Sequence, residues 1–262
     1  MRMQLLVLCT LGVVGNAATQ FEVTASGPVL AAVYLEGRGP YRFLLDTGSE
    51  TNLLDSKFAA KLGIRPKSTT KLITAAGSTS VGKVRALTVS LDSAVAEDQH
   101  FILTELPGLR ERSPDIRGIL VQEFLRNFDY MLDFKRRHLS FGQVSEQAGR
   151  IPFRLIRGRM AIPTNLGNMI LDSGVVIAIL FRAPQWRTGS ADLTVATGKT
   201  VTLTADWGPR LLIGDRAYPL EKVVYQLRDS SLGDGLLPAT TFRTIYVSNS
   251  DGRDRAALRV CI

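Results

Sequence analysis

The chain contains the stretch Phe43-Leu44-Leu45-Asp46-Thr47-Gly48-Ser49, an apolar run that ends in a carboxylate, a hydroxyl and a glycine. The pattern returns as Met169-Ile170-Leu171-Asp172-Ser173-Gly174. Buried apolar strands normally exclude aspartate, so an aspartate at the end of such a strand either caps a turn or is held there for chemistry. One Asp-Thr-Gly alone is most simply an Asx turn. The second copy favours the chemical interpretation.

The composition indicates a folded protein with a substantial core. Of the 262 residues, 45% are hydrophobic and 21% are charged, which suits one large domain or two small ones. The formal net charge is +8, with 32 basic against 24 acidic residues. Because the basic residues are spread along the whole chain and no aromatic-rich basic segment accompanies them, we expect no nucleic-acid binding.

The N-terminus predicts a secretory signal peptide over residues 1–17. A short basic start precedes an apolar run from Leu5 to Val14, and small residues follow. The run is too short to span a bilayer, and cleavage after Ala17 or Ala18 would remove it. We therefore expect an exported protein, periplasmic or secreted, with no stable membrane span after cleavage. An uncleaved N-terminal anchor is the alternative.

The remaining pattern predicts a mainly β protein with a few short helices. Apolar stretches at Val29 to Leu35 and Tyr41 to Leu45 flank a turn rich in glycine and proline, and together they form a hairpin that delivers Asp46. A short helix is expected at Lys57 to Leu62. A later apolar run, Ile116 to Val121, contains a glycine.

The landmarks of the first half recur in the same order in the second. The aspartate is followed by a hairpin turn 31 residues later at Gly77 and 26 residues later at Gly198 (77 − 46 and 198 − 172). The glycine of the apolar run follows the aspartate by 72 residues at Gly118 and by 63 at Gly235 (118 − 46 and 235 − 172). A closing hairpin ends each half. Four landmarks that recur in one order indicate two units of one design.

These landmarks set the predicted domain boundaries. The N-terminal lobe is expected over residues 21–142 and the C-terminal lobe over residues 151–262. The segment 143–150, rich in Gly, Ser, Gln and Glu, is the predicted linker.

The repeated landmarks resemble the aspartic proteases, in which two β-rich lobes each contribute one Asp-[Thr/Ser]-Gly loop. The length of each half is similar to the retropepsin type, duplicated and fused into one chain as in pepsin, in a bacterial exported form. The resemblance covers nearly the whole mature chain. It implies two similar retropepsin-like β-barrel lobes with a cleft between them, the acid protease fold. It also implies a monomer that forms an intramolecular pseudo-dimer.

The resemblance assigns roles to the residues of the two loops. Asp46 and Asp172 would be the catalytic pair of an aspartic endopeptidase that acts on peptides or proteins. Gly77 and Gly198 would mark the flap hairpins over the substrate. The loop-supporting residues would be Thr47, Gly48, Ser49, Ser173 and Gly174.

The chemistry of two close carboxylates explains the choice of residues. Two carboxylates side by side do not both ionise readily, so they share one proton, and the aspartic proteases are the standard example. The ionised partner can accept a proton from water while the protonated partner donates to the peptide carbonyl. This reaction requires no metal and no cofactor.

Other catalytic sites fit the sequence poorly. The chain has two histidines, His100 and His138, and neither lies in an H-E-x-x-H or G-x-S-x-G setting. Both are interpreted as strand-edge residues. We therefore predict no metal site and no Ser-His-Asp triad.

The sequence departs from the family pattern at both loops. Val175 and Val176 follow the second loop where the first has Ser49, and the apolar-glycine runs end in Val121 and Pro238 where the family usually has another glycine. The departures leave open a non-catalytic two-lobed protein that uses the same cleft to bind peptides or a protein partner. A further alternative is that two chains pair, each supplying one competent loop.

Overall fold

The computed structural model describes residues 19–23, 28–74, 77–111, 113–142, 150–184, 189–227, 232–249 and 259–261. The predicted signal peptide and residues 143–149 of the predicted linker lie outside these ranges. Within them the chain is mainly β, as the sequence predicted.

The first half of the chain forms an eight-stranded sheet in which the strand that ends at Asp46 is internal. The strands follow one another across the sheet as β2 (Glu22–Val23), β3 (Val29–Leu35), β4 (Arg38–Asp46), β9 (Ile116–Val121), β5 (Asn52–Asp55), β8 (Ala94–Thr104), β7 (Gly77–Leu91) and β6 (Ser68–Thr74).

The second half forms another eight-stranded sheet with the same arrangement. Its strands follow as β13 (Arg154–Ile156), β14 (Arg159–Thr164), β15 (Gly167–Asp172), β22 (Gly235–Pro238), β16 (Ala178–Leu180), β21 (Lys222–Tyr225), β18 (Thr200–Trp207) and β17 (Gly189–Thr194). Strand β15 occupies the place of β4, so Asp172 and Asp46 end equivalent strands. The repeated landmarks of the sequence therefore correspond to a repeated topology.

A third sheet contains strands from both halves. Its order is β1 (Thr19–Gln20), β11 (His138–Phe141), β10 (Tyr130–Asp133), β23 (Thr244–Ser248), β24 (Arg259–Cys261) and β12 (Arg150–Pro152). Strands β10 and β23 pair antiparallel, with Tyr130 opposite Val247. The chain also has a separate two-stranded hairpin, β19 (Arg210–Ile213) with β20 (Arg216–Pro219).

The helices described by the structure are short. They include α1 (Ser56–Lys61), α2 (Pro107–Arg110), α3 (Gln122–Leu125) and a 3₁₀ turn at Ala239–Thr241. Asp55 caps α1 by accepting a hydrogen bond of 3.0 Å from the Phe58 N–H. In the described part of the chain, no helix has the length and apolar character needed to cross a membrane.

Strands β9 and β22, the glycine strands, each contain a glycine and run parallel to β4 and β15, the strands that end in the aspartates. The glycines allow close packing. Gly118 is opposite Phe43, and Gly235 is opposite Met169. A Cβ atom at Gly118 would collide with the Phe43 ring and the Leu53 carbonyl, and one at Gly235 would collide with the Ile179 carbonyl. The same residue type is therefore required at the same place in both sheets.

The two residues that replace the expected second glycines lie directly beside the aspartates. Val121 is the parallel partner of Asp46, and Pro238 is the parallel partner of Asp172. Both are buried, and the Val121 N–H donates to Asn52 Oδ1 at 2.9 Å. The sheets therefore accommodate these departures next to the two loops.

The main hydrophobic core includes residues of both halves. Tyr130, from the first half, is fully buried and accepts a hydrogen bond of 3.1 Å from the Gln122 side chain. Its hydroxyl lies 3.9 Å from the sulfur of Met160, which belongs to the second half. The two halves are thus joined by packing as well as by the third sheet.

Replacement of Gly118 by alanine is expected to destabilise the protein by about 1–3 kcal/mol, because the added methyl group has no space beside Phe43. The free energy of unfolding measured by urea denaturation tests this expectation. The control Arg85→Ala, at an exposed position of β7, should change it by less than about 0.5 kcal/mol. An equal effect of the two substitutions would contradict the close packing of β9.

Candidate active site

Two reciprocal pairs of hydrogen bonds join the loops that follow β4 and β15. Thr47 Oγ1 donates to the Leu171 carbonyl at 2.8 Å and accepts from the Ser173 N–H at 3.0 Å. Ser173 Oγ donates to the Leu45 carbonyl at 2.7 Å and accepts from the Thr47 N–H at 3.1 Å. Thr47 is 1% exposed and Ser173 is 0% exposed. Each hydroxyl therefore satisfies two buried backbone groups of the two loops, one as donor and one as acceptor.

The Asp46 carboxylate is held by its own loop. The Gly48 N–H donates to Oδ1 at 2.8 Å, and Ser49 Oγ donates to Oδ2 at 2.7 Å. One backbone and one side-chain donor therefore fix both oxygens, and they leave the carboxylate little rotational freedom.

Asp172 is held by backbone donors. The Gly174 N–H donates to Oδ1 at 2.7 Å, and the Val175 N–H contributes a second hydrogen bond. Valine has no hydroxyl to match Ser49, but its backbone N–H still supports the carboxyl group. The second loop therefore differs from the first in the type of its second donor.

The two carboxyl groups face each other across the glycines of the loops. A Cβ atom at Gly48 would collide with the Asp172 carboxyl group, and one at Gly174 would lie 2.9 Å from Asp46 Cγ. The carboxyl groups lie within hydrogen-bonding reach of each other, and this interaction contributes to the raised pKa of Asp172. Asp46 is 8% exposed and Asp172 is 4% exposed. The loops thus bring two buried carboxyl groups into direct contact.

Burial is the largest influence on Asp172 and raises its pKa well above the ordinary value, because a carboxylate is poorly stabilised away from water. The neighbouring charge of Asp46 raises the pKa of Asp172 further. The hydrogen bonds from Gly174 and Val175 oppose these effects without cancelling them. Asp172 therefore retains a proton above the usual aspartate range.

The hairpins predicted as flaps are both formed, and they differ in their contacts. Gly77 begins β7 and is opposite Thr74, the last residue of β6, and the two turn residues between them lie outside the described ranges. Gly198 has φ +83° in the turn between β17 and β18. That turn reaches the first half at α2, where the Gly108 N–H donates to the Ala196 carbonyl at 3.2 Å.

A polar pocket of about 520 Å³ lies between the two hairpins. Its lining comes from β7, the end of β8, the start of α2 and the turn after β17: Ser78, Thr79, Ser80, Val81, Gly82, Leu103, Thr104, Glu105, Pro107, Thr197 and Lys199.

The sequence did not single out two charged residues near the pair, Glu50 and Arg159. Arg159 is 8% exposed, and its Nε lies 3.7 Å from Glu50 Oε1. The same Glu50 oxygen lies 3.1 Å from Arg157 Nε. Burial lowers the pKa of Arg159, and attraction to Glu50 opposes that shift. No local motif marks an arginine whose acidic partner lies in the other half of the chain.

Within the described ranges, no group of three or more His, Cys, Asp or Glu side chains could hold a metal ion. His100 instead pairs with Glu123, with 2.7 Å between Nδ1 and Oε1.

Comparison with known proteins supports the interpretation of this chain as a protease. Residues 31–124 match the family model described as Aspartyl protease, and this match confirms the resemblance to the aspartic proteases. The matched segment contains the first Asp-Thr-Gly loop and ends before the second. A search of curated proteins gave no match.

Two solved structures are similar to this chain. A retropepsin-like aspartic protease from Rickettsia conorii is 18% identical, with a TM-score of 0.37, over 48% of this chain and 91% of that one. An aspartic proteinase from Irpex lacteus is 12% identical, with a TM-score of 0.49, over 94% of this chain and 97% of that one.

Thr47→Val and Ser173→Ala should each lower the free energy of unfolding by about 1–3 kcal/mol, because each leaves a buried N–H and a buried carbonyl without a partner. The double variant should show coupling of at least about 0.5 kcal/mol, since both residues belong to one network. Chemical denaturation measures these values. Thr69→Val, at an exposed site in β6, is the isosteric control and should have little effect. If each single variant changes the free energy of unfolding no more than the control, and the two changes simply add, the proposed junction of the loops through Thr47 and Ser173 is wrong.

Asp172→Asn should stabilise the protein increasingly as the pH rises above 3.8, the ordinary aspartate pKa. With its pKa raised, Asp172 binds more protons in the folded state than in the unfolded state, so its contribution to stability falls as the pH rises from the ordinary pKa through the folded pKa. Asparagine does not titrate and avoids that loss. Unfolding measured from pH 3 to 7 should therefore show a stability difference that is small at the acid end and grows toward neutrality. A difference independent of pH would contradict the shift.

Proposed function

We propose that this two-lobed protein of the aspartic protease superfamily is an aspartic endopeptidase, with Asp46 and Asp172 as its catalytic pair. The observation that carries the proposal is the direct contact of two buried carboxyl groups supplied by equivalent loops of the two halves. A structural role does not require two carboxyl groups in contact, because their repulsion costs stability. Such a pair is suited to sharing a proton.

The unequal surroundings of the two aspartates suggest their roles. Asp172, whose pKa is raised by burial, keeps the proton and donates it to the oxygen of the substrate carbonyl. Asp46, fixed by donors from Gly48 and Ser49, accepts a proton from a water molecule. The oxygen of that water bonds to the carbonyl carbon and forms a tetrahedral diol.

Collapse of the diol completes the reaction. The bond between carbon and nitrogen breaks as the nitrogen receives the proton held by Asp46, and Asp172 recovers its proton from the diol hydroxyl. The products are a carboxylic acid and an amine, and the pair returns with one proton. No covalent intermediate forms on the enzyme, and no cofactor is required.

The hairpins of the two halves suit a peptide or protein substrate. The β6–β7 hairpin is the proposed flap, and the β17–β18 hairpin, whose turn contacts α2, is proposed to close the other side of the cleft. We propose that one chain supplies both loops and acts as a monomeric pseudo-dimer. From the N-terminal sequence we also propose export, to the periplasm or the exterior.

Asp46→Asn and Asp172→Asn should each reduce kcat/KM for peptide hydrolysis at mildly acid pH by at least about 100-fold, the usual contribution of a general acid or base. The double variant should be little worse than either single variant, because the two residues act as a unit. Asp98→Asn makes the same chemical change at an exposed site of β8 and should keep full activity.

The same variants separate the enzyme from a binding protein. Hydrolysis that survives substitution of either aspartate would exclude the pair as the catalytic centre. If the wild-type protein binds peptides but does not cleave them between pH 3 and 7, the non-catalytic alternative is correct.

A further inference from the structure

Arg159 occupies a position beside Asp172 that has no charged equivalent in the first half. Strands β14 and β15 are antiparallel with Ala161 opposite Ile170, and the same register continued by two residues sets Arg159 opposite Asp172. Residues opposite each other in antiparallel strands have Cβ atoms about 4.5–5.5 Å apart and point to the same face. The strand ends therefore place Arg159 and Asp172 at facing positions, and the two side chains interact electrostatically.

The first half has a different residue at this place. Val29 is opposite Leu45 in strands β3 and β4, so the next position sets Pro28 opposite Asp46. Proline carries no charge. Arg159 is thus a feature of the second loop alone, the loop in which Val175 stands in place of a hydroxyl residue.

Arg159 is held rigidly and away from solvent. Its guanidinium donates to the Leu232 carbonyl at 3.3 Å and to the Ile156 carbonyl at 3.4 Å. Its ion-pair partner is Glu50, four residues after Asp46 in the first loop, at 3.7 Å. Burial lowers the pKa of the guanidinium, but arginine remains charged throughout the range in which carboxylates titrate.

The charge of Arg159 is only partly compensated outside the aspartate pair. Glu50, itself 37% exposed, also pairs with Arg157, whose side chain is 51% exposed. The remaining acidic groups that interact with Arg159 are Asp172 and Asp46. The buried cation attracts a negative charge on this pair, whereas two ionised carboxylates would repel each other. Single ionisation of the pair satisfies both conditions.

We propose that Arg159 is a positioning residue of the aspartate pair, whose buried charge beside Asp172 holds the pair in its singly ionised state. This inference rests on the proposed function, because that state is the one in which one aspartate acts as base and the other as acid. Arg159 offsets part of the cost of an ionised pair in a buried site, and Glu50 anchors it across the two halves.

The consequence is a defined shift in the dependence of activity on pH. Without the cation, the pair would take up its second proton at higher pH and lose its base. Arg159→Met should therefore move the acid limb of the pH profile of kcat/KM upward by about one unit, the low end of the range for the loss of a nearby opposite charge. If Arg159→Met only disturbed the fold, activity would fall by the same factor at every pH.

Matched variants isolate the charge of Arg159. Arg159→Lys keeps the charge and should return the acid limb to within about 0.3 units of wild type, well below the shift of a close charge. Arg157→Met removes the same charge from a side chain that is 51% exposed, where water screens it, and should move the limb by no more than that. Glu50→Gln should move the limb downward, because it leaves more positive charge beside the pair. If Arg159→Met does not fold, Glu50→Gln still tests the proposal.

The experiment measures kcat/KM of the full-length protein from pH 3 to 8, and the carboxyl titration of the pair by ¹³C NMR with Asp172→Asn to assign the resonances. The proposal is overturned if Arg159→Met and Glu50→Gln leave the acid limb unmoved, or if Arg157→Met shifts it as far as Arg159→Met. Absence of hydrolysis by the wild type would instead refute the proposed function, and the NMR titration would still report whether Arg159 controls the pair.

Discussion

The reciprocal hydrogen bonds between Thr47 and Ser173 are the interaction on which the rest of the site depends. Each hydroxyl bonds to two backbone groups of the opposite half, so the two sheets cannot move apart at this point without exposing four buried polar groups. The bonds fix the ends of β4 and β15, and with them the two aspartates. The contact between the carboxyl groups follows from this junction and from the absence of side chains at Gly48 and Gly174.

The junction brings together two carboxyl groups that repel each other when ionised, and the surrounding residues stabilise the two groups in different ways. Two buried carboxyl groups in contact repel each other when ionised, and burial together with this repulsion raises the pKa of Asp172. Asp46 receives a hydroxyl donor from Ser49, whereas Asp172 receives backbone donors and the nearby cation of Arg159. The two halves thus share a topology but differ in the groups that support their aspartates. This asymmetry suits a pair whose members perform different tasks.

The sequence predicted the repeated elements because local patterns mark them. The Asp46 hairpin, the α1 helix near Lys57 and the glycine strands carry turn residues, a cap or an apolar run, and these signals act over a few residues. It did not predict the full length of β8, in which the polar run Glu97-Asp98-Gln99-His100 interrupts the alternation, or the separate β19–β20 hairpin. Nor did it predict Arg159, whose burial and pairing with Glu50 arise only when distant segments meet.

A neutron diffraction structure of the protein at mildly acid pH would locate the protons on both carboxyl groups and show whether the pair shares one. We expect the nearest oxygens of Asp46 and Asp172 to lie about 3 Å apart, with one proton shared by the pair and a water molecule bound to both. Carboxyl groups separated by more than one water molecule could bridge, or a pair with no proton or two, would contradict it.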